Sequence, residues 1–173
     1  MMSWFTADTH FGHSGIVQSC KRPYGSVEEM DAALVQNWNS RVRDGDEVWF
    51  LGDFCWARPE KAEHLLSRLN GTKHLVVGNH DSRAVQALPG WASVQTYAEI
   101  CVRDARLVLS HYAFRTWNGC HRGALHLYGH SHGNLPGSRQ SCDVGVDAWP
   151  RYVPVNLAEV MAHLQTLPER AFD

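Results

Sequence analysis

Apolar residues fall in short runs, and each run ends on a cluster of polar, chemistry-bearing side chains. Residues 3–7 read as a buried strand that stops at Asp8. Val27, Met30, Leu34 and Trp38 then recur at near-helical intervals, and Ser26 with Glu29 has capping-box spacing, so a helix is expected over 27–42. Asp44-Gly45-Asp46 is a turn signal, and the apolar run 47–51 predicts a second strand ending at Gly52-Asp53. Pro59 suits the first turn of a helix over 59–69, which Asn70-Gly71 stops. Residues 73–77 predict a third strand, ending at Gly78-Asn79-His80-Asp81. Further strands are expected at 94–97, 99–102, 107–110, 125–128 and 141–146, and a last helix at 157–167, capped by Asn156 with Glu159 three residues on.

Strand–helix alternation in the first half implies a parallel sheet, because parallel neighbours need crossover connections. Adding the strand-rich second half gives an α/β class, a layered sandwich. No composition shift, repeat or low-complexity tract divides the chain, so one domain over 1–173 is expected.

Composition changes this picture little. Hydrophobic residues are 44% and charged residues 20%, ordinary for a globular protein. The formal net charge of −2 argues against a strongly basic nucleic-acid binder. A nucleic-acid substrate stays open, since bound cations would make a cleft locally positive. The five cysteines are odd in number, widely spaced and lack C-x-x-C, which argues against a disulfide framework or a thiolate zinc site and for reduced thiols in the cytoplasm. No secretory leader and no membrane span is expected.

The polar clusters carry the chemistry. Asp8-Thr9-His10, Gly52-Asp53, Gly78-Asn79-His80-Asp81, Ser110-His111 and Gly129-His130-Ser131-His132 each follow an apolar strand. In open α/β sheets, sites form just beyond the carboxyl ends of strands. Asp, His and Asn without Cys form a mixed oxygen and nitrogen set that suits manganese, iron, zinc or nickel. They are too many for one tetrahedral ion. Two ions are the natural count, since one carboxylate can bridge a pair about 3.5–4 Å apart.

At these residues the chain resembles the calcineurin-like metallophosphoesterase superfamily. Its pattern of D-x-H, G-D, G-N-H-D/E, a lone H and G-H-x-H is matched in order by Asp8 to His10, Gly52-Asp53, Gly78 to Asp81, His111 and Gly129 to His132. A closer likeness, Asp8 to His13 and His126 to Gly133, is to small bacterial and phage members. Gly52-Asp53 is followed by Phe54-Cys55-Trp56 where many members read G-D-x-x-D, a departure outside the metal ligands.

The resemblance implies a four-layer α/β/β/α sandwich with two divalent metal ions, manganese first, with iron, zinc or nickel as alternatives. It implies that Asp8, His10 and His132 bind one metal, that Asn79, His111 and His130 bind the other, and that Asp53 bridges them. His80 would serve the leaving group and Asp81 would orient His80 from behind. The implied activity is hydrolysis of a phosphomonoester or phosphodiester by in-line attack of activated water. The alternatives are a nucleic-acid-processing phosphodiesterase and a non-catalytic module on the same fold.

His13, in the loop of His10, and Arg115 and His121, in the segment between His111 and His130, are candidate substrate contacts, and arginine pairs well with phosphate. Arg22, Arg58 and Arg122 are weaker candidates, expected to be solvated. His64, His74 and His163 are expected to be surface or packing residues. Trp56, Trp117 and Trp149 lie in loop-like stretches near the motifs, where stacking on a base competes with packing. The oligomeric state is open.

Overall fold

The computed structural model describes residues 1–169. The chain order is β1 (Ser3–Thr6), α1 (Ser14–Ser19), α2 (Val27–Asn39), β2 (Glu47–Phe50), α3 (Pro59–Ser67), β3 (Thr72–Val76), α4 (Arg83–Gln86), β4 (Trp91–Gln95), β5 (Tyr97–Val102), β6 (Ala105–Ser110), β7 (Leu125–Tyr128), β8 (Ser141–Asp143), β9 (Val155–Asn156) and α5 (Leu157–Thr166). One sheet runs β4-β3-β2-β1-β9, the other β5-β6-β7-β8. β1 to β4 pair in parallel, as the strand–helix alternation requires, and β9 joins β1 antiparallel.

Side-chain alternation assigns the layers. Trp4, Val48, Phe50 and Leu75 point to one face of the first sheet, where Met30, Leu34 and Trp38 of α2 and Leu65 and Leu66 of α3 cover them. Phe5, Leu51 and Val76 point to the other face and meet Leu107, Leu109, Leu125 and Leu127 of the second sheet. α5 adds Val160 and Leu164 to that inter-sheet core. The far side of the second sheet is covered by 112–124, where Trp117, Cys120 and Ala124 pack on Val108. The sandwich expected from the sequence is therefore present, with an outermost layer made mainly of this segment and its 3-10 turn Cys120–Arg122.

Capping explains where two helices start. Ser26 accepts the Glu29 N–H, but the Glu29 carboxylate reaches back to the Gly25 N–H, one residue before the box predicts. At α5 both halves of the box form between Asn156 and Glu159.

The differences from expectation are local. β4 begins at Trp91, and Tyr97 opens β5, because Tyr97 pairs with Ser110 in the β5–β6 hairpin. β8 stops at Asp143, where Asp143 Oδ1 accepts the Gly145 N–H and turns the chain. α1, α4 and β9 are six, four and two residues long, too short for periodicity to show.

Candidate metal centre

Parallel pairing places the carboxyl ends of β1, β2 and β3 side by side, and those of β6 and β7 opposite them. The loops leaving these ends are laced by backbone bonds. Asp8 N–H donates to Gly52 O (2.9 Å), His10 N–H to Asp53 O (3.0 Å) and Gly129 N–H to His111 O (3.0 Å). Gly52 has φ +90, and a Cβ there would lie 2.5 Å from His111 Nδ1, so only glycine fits. Asp8, His10, Asp53, His130 and His132 also hold φ between 49 and 65, the left-handed region that non-glycine residues rarely adopt. Such strain persists where surrounding contacts over-determine it, and it clusters at functional sites.

Two ligand groups result. Donor atoms of Asp8, His10 and His132 lie within 4.8 Å of one another, as do those of Asp53, His111 and His130. Asp53 joins the groups, because its Oδ2 is 3.5 Å from His10 Nε2 and 3.5 Å from His111 Nε2. Asn79 Oδ1 completes the second group, 3.0 Å from His111 Nε2. All seven residues named from the sequence as ligands therefore converge.

The donor set fits cations. His111 Nδ1 lies 2.7 Å from the carbonyl of Leu51, which can only accept, so Nδ1 carries the proton. In the neutral ring Nε2 is then a lone pair facing the oxygens of Asn79 and Asp53. His10 Nε2 is buried without a hydrogen-bond partner. Lone pairs facing lone pairs in a buried site are costly unless a cation lies between them.

Electrostatics agree. Burial, then the nearby Asp143 and Asp53, push the Asp8 pKa well above the carboxylate range, against a smaller lowering by the His130 N–H. Burial, then His132 and Arg22, push His10 down to about 2, so it stays neutral. Burial, then His111, also lowers His130. Neutral histidines are the state metal ligation requires, and a cation beside Asp8 would oppose the upward shift by favouring its carboxylate form.

His80 is exposed on the rim, with its ring 5.5 Å from that of His10 and 4.9 Å from Trp56. It lines a cleft of about 400 Å³ with Trp56, Arg58 and Ser82. The sequence reading put Asp81 behind His80. Its carboxylate instead accepts the backbone N–H groups of Asp53 (2.9 Å), Phe54 (2.9 Å) and Gly78 (2.8 Å), tying two motif loops together. His13 stacks on Trp56 at 5.0 Å, and its ring is 5.7 Å from that of His10. Arg115 lines a different cleft, of about 200 Å³, with Trp117, Tyr128 and Leu135. His121 lies in the 3-10 turn on the segment covering the second sheet.

Three residues escaped sequence reasoning. Arg22, expected to be solvated, is 4% exposed and pairs with Asp147 at 2.7 Å. Asp147 in turn accepts from His132 Nδ1 at 2.7 Å. Asp143 Oδ2 accepts from Ser131 Oγ and Gly133 N–H, both at 2.8 Å, and so holds the His130–His132 loop. Asp143 is the last residue of β8 and Asp147 lies just beyond it, so the expected strand over 141–146 hid Asp143, whereas the rule that found the other motifs could have found Asp147. Cys20 lies near His132 and Asp147, but both Asp147 oxygens are occupied by Arg22 and His132. Burial keeps the Cys20 thiol protonated by raising its pKa.

A two-sheet α/β sandwich thus gathers, at the carboxyl ends of its strands, His and Asp groups that could hold metal ions. Residues 1–165 match the calcineurin-like phosphoesterase family, and the chain belongs to it. It is 31% identical to the gene 66 protein of Mycobacterium phage L5, covering 87% of this chain and 89% of that protein. It is 46% identical over 80 residues to the uncharacterized protein MJ1445 of Methanocaldococcus jannaschii, spanning 45% of this chain and 46% of that one, so it covers about half that relative's length. The solved structure of AQ665 from Aquifex aeolicus, a protein of unknown function, shares the fold with a TM-score of 0.73 at 22% identity, covering 94% and 98% of the two chains. Among the described residues no helix is long and apolar enough to cross a membrane.

Proposed function

We propose that the chain is a single-domain, binuclear phosphoesterase that hydrolyses a phosphomonoester or phosphodiester by in-line attack of water. The observation that supports it most is the position of Asp53, with one carboxylate oxygen equally distant from a histidine of each ligand group. Asp8, His10 and His132 would hold one divalent ion, Asn79, His111 and His130 the other, and Asp53 both. Manganese is the first choice, with iron, zinc or nickel as alternatives, because the donors are nitrogen and oxygen. The ions, when bound, supply charge to the phosphoryl oxygens and acidify water.

The protein groups do the rest. Asp53 is held in register by the His80 N–H, which donates to its Oδ1 at 2.8 Å. The Leu51 carbonyl fixes the His111 tautomer, and the Asp147 carboxylate fixes that of His132. His80, on the open rim, would give a proton to the departing oxygen. Asp81 would fix the loop that presents His80. His13 would line the entrance beside Trp56. A cytoplasmic setting is proposed from the odd count and wide spacing of the five cysteines.

A second reading, a nucleic-acid phosphodiesterase, has one specific support. Trp56 is 52% exposed beside His80 and His13, and Tyr112 is 48% exposed beside His111 and His130, so a base could stack at either side. Trp117 offers no such face, being buried with its Nε1 bonded to Ala124 O. The test is hydrolysis of p-nitrophenyl phosphate against bis-p-nitrophenyl phosphate by manganese-loaded protein. Turnover of either supports the reaction class, and a diester preference with salt-dependent capture of single-stranded DNA favours the second reading. No turnover of either ester rejects the proposal.

A further inference from the structure

Arg22 and Asp147 form a buried pair outside the ligand set, and their contacts all fall on one side of the centre. Arg22 donates from Nε to Asp147 Oδ1 (2.9 Å) and from Nη2 to Asp147 Oδ2 (2.7 Å). The same guanidinium donates to the backbone carbonyls of Asp8 (2.7 Å) and Thr9 (2.8 Å). Those carbonyls belong to the turn that holds Asp8 at φ 58 and His10 at φ 49. Asp147 Oδ2 accepts the hydrogen bond of His132 Nδ1–H at 2.7 Å, which in the neutral ring leaves Nε2 as the lone-pair nitrogen. One ion pair thus touches the backbone of Asp8 and the ring of His132 directly, and reaches His10 through the carbonyl of the preceding Thr9.

Among the described residues no arginine–carboxylate pair reaches the other group, whose loops are tied by the Asp81 carboxylate instead. Asn79 and His130 are exposed, whereas Asp8 and His10 are buried. Of its two histidines, His111 is oriented by a single backbone carbonyl.

Resting on the binuclear reading above, we infer that Arg22 and Asp147 are positioning residues that build the Asp8–His10–His132 site in advance, so that it is the tighter of the two cation sites and fills first. A preformed site binds more tightly because less ordering is left to be done on binding. Guanidinium is needed because it makes four bonds to oxygen here from donors in one fixed plane, and an ammonium has only three.

The test is calorimetric titration of Mn2+ into the metal-free protein, its Asp147→Asn and Arg22→Lys variants, and two assignment variants, His10→Ala and Asn79→Ala. Wild type should show two unequal steps, with the tight step lost in His10→Ala and the weak step lost in Asn79→Ala. Asp147→Asn and Arg22→Lys should each weaken the tight step by about 10–100-fold, the usual effect of removing a partner of a ligating histidine, and leave the weak step in place. Near-ultraviolet circular dichroism checks that the variants fold. If Asp147→Asn does not fold, Arg22→Lys, which keeps the charge, carries the test alone. Equal weakening of both steps, or an unchanged tight step, overturns the inference. So do two equal sites in wild type, which leave the binuclear reading intact. A wild-type protein that takes up no Mn2+ defeats that reading itself.

Discussion

The backbone N–H of His80 donates to Oδ1 of Asp53 at 2.8 Å, which leaves Oδ2 of the same carboxylate facing the two histidines 3.5 Å away on either side. The group proposed to serve the leaving oxygen is thereby registered directly against the group proposed to bridge the metals. A change at either residue should be felt at both.

Asp53→Asn keeps the shape and removes the charge. Metal content by mass spectrometry should fall below two per chain, and phosphatase activity should fall by more than about 100-fold, beyond the usual cost of losing an outer partner. Retention of two metals with full activity would remove Asp53 from the bridging role.

His80→Ala should separate substrates by leaving group. An alkyl phosphate needs a proton at the departing oxygen and should slow by about 10²–10⁴-fold, the range for general acid catalysis, whereas p-nitrophenolate leaves without one and should slow much less. Equal slowing of both would assign His80 to binding or structure.

Asp81→Ala is a stability prediction. It leaves the N–H groups of Asp53, Phe54 and Gly78 without their acceptor in a buried loop. Unmade bonds of that kind cost about 1–3 kcal/mol each, so urea unfolding of the metal-free protein should show a loss on the order of 3 kcal/mol or more. Asp81→Asn retains an amide oxygen and should lose less. A loss under about 1 kcal/mol for the alanine variant would show that the loops hold without this clamp.

Asp8 gives a prediction with a sign. Burial raises its folded pKa above the ordinary value of 3.8. The contribution of such a group to metal-free stability is complete below the unfolded pKa and is lost as pH rises through the folded one. Above the ordinary carboxylate range Asp8 therefore weighs against the metal-free fold. Asp8→Asn should raise the metal-free melting temperature at pH 8, remove the stabilisation given by Mn2+, and differ little from wild type below pH about 4. A lower metal-free melting temperature at pH 8 would contradict the electrostatic account.

The five ligand-bearing loops were legible because each follows a run of apolar residues, and parallel pairing brings the ends of such runs together. Asp8, Asp53, Asn79, His111 and His130 could be named without coordinates for that reason. Arg22 could not. Its burial depends on Asp147, 125 positions away, and no local pattern distinguishes a buried arginine from a solvated one. The left-handed backbone at Asp8, His10 and His132 was equally hidden, since none of these is glycine. Asp81 was misplaced because adjacency in sequence suggested His80 as its partner, while the turn at Gly78 aims its carboxylate at backbone donors. Arg115 and His121 were chosen because their segment lies between two motifs and arginine pairs well with phosphate, and that segment packs Trp117, Cys120 and Ala124 on the second sheet.

The bridging role of Asp53 is tested most directly by anomalous diffraction from crystals grown with Mn2+. Two anomalous peaks about 3.5–4 Å apart, one on each side of the Asp53 carboxylate, are expected. A single peak, or a pair placed away from Asp53, would contradict the binuclear centre on which the account rests.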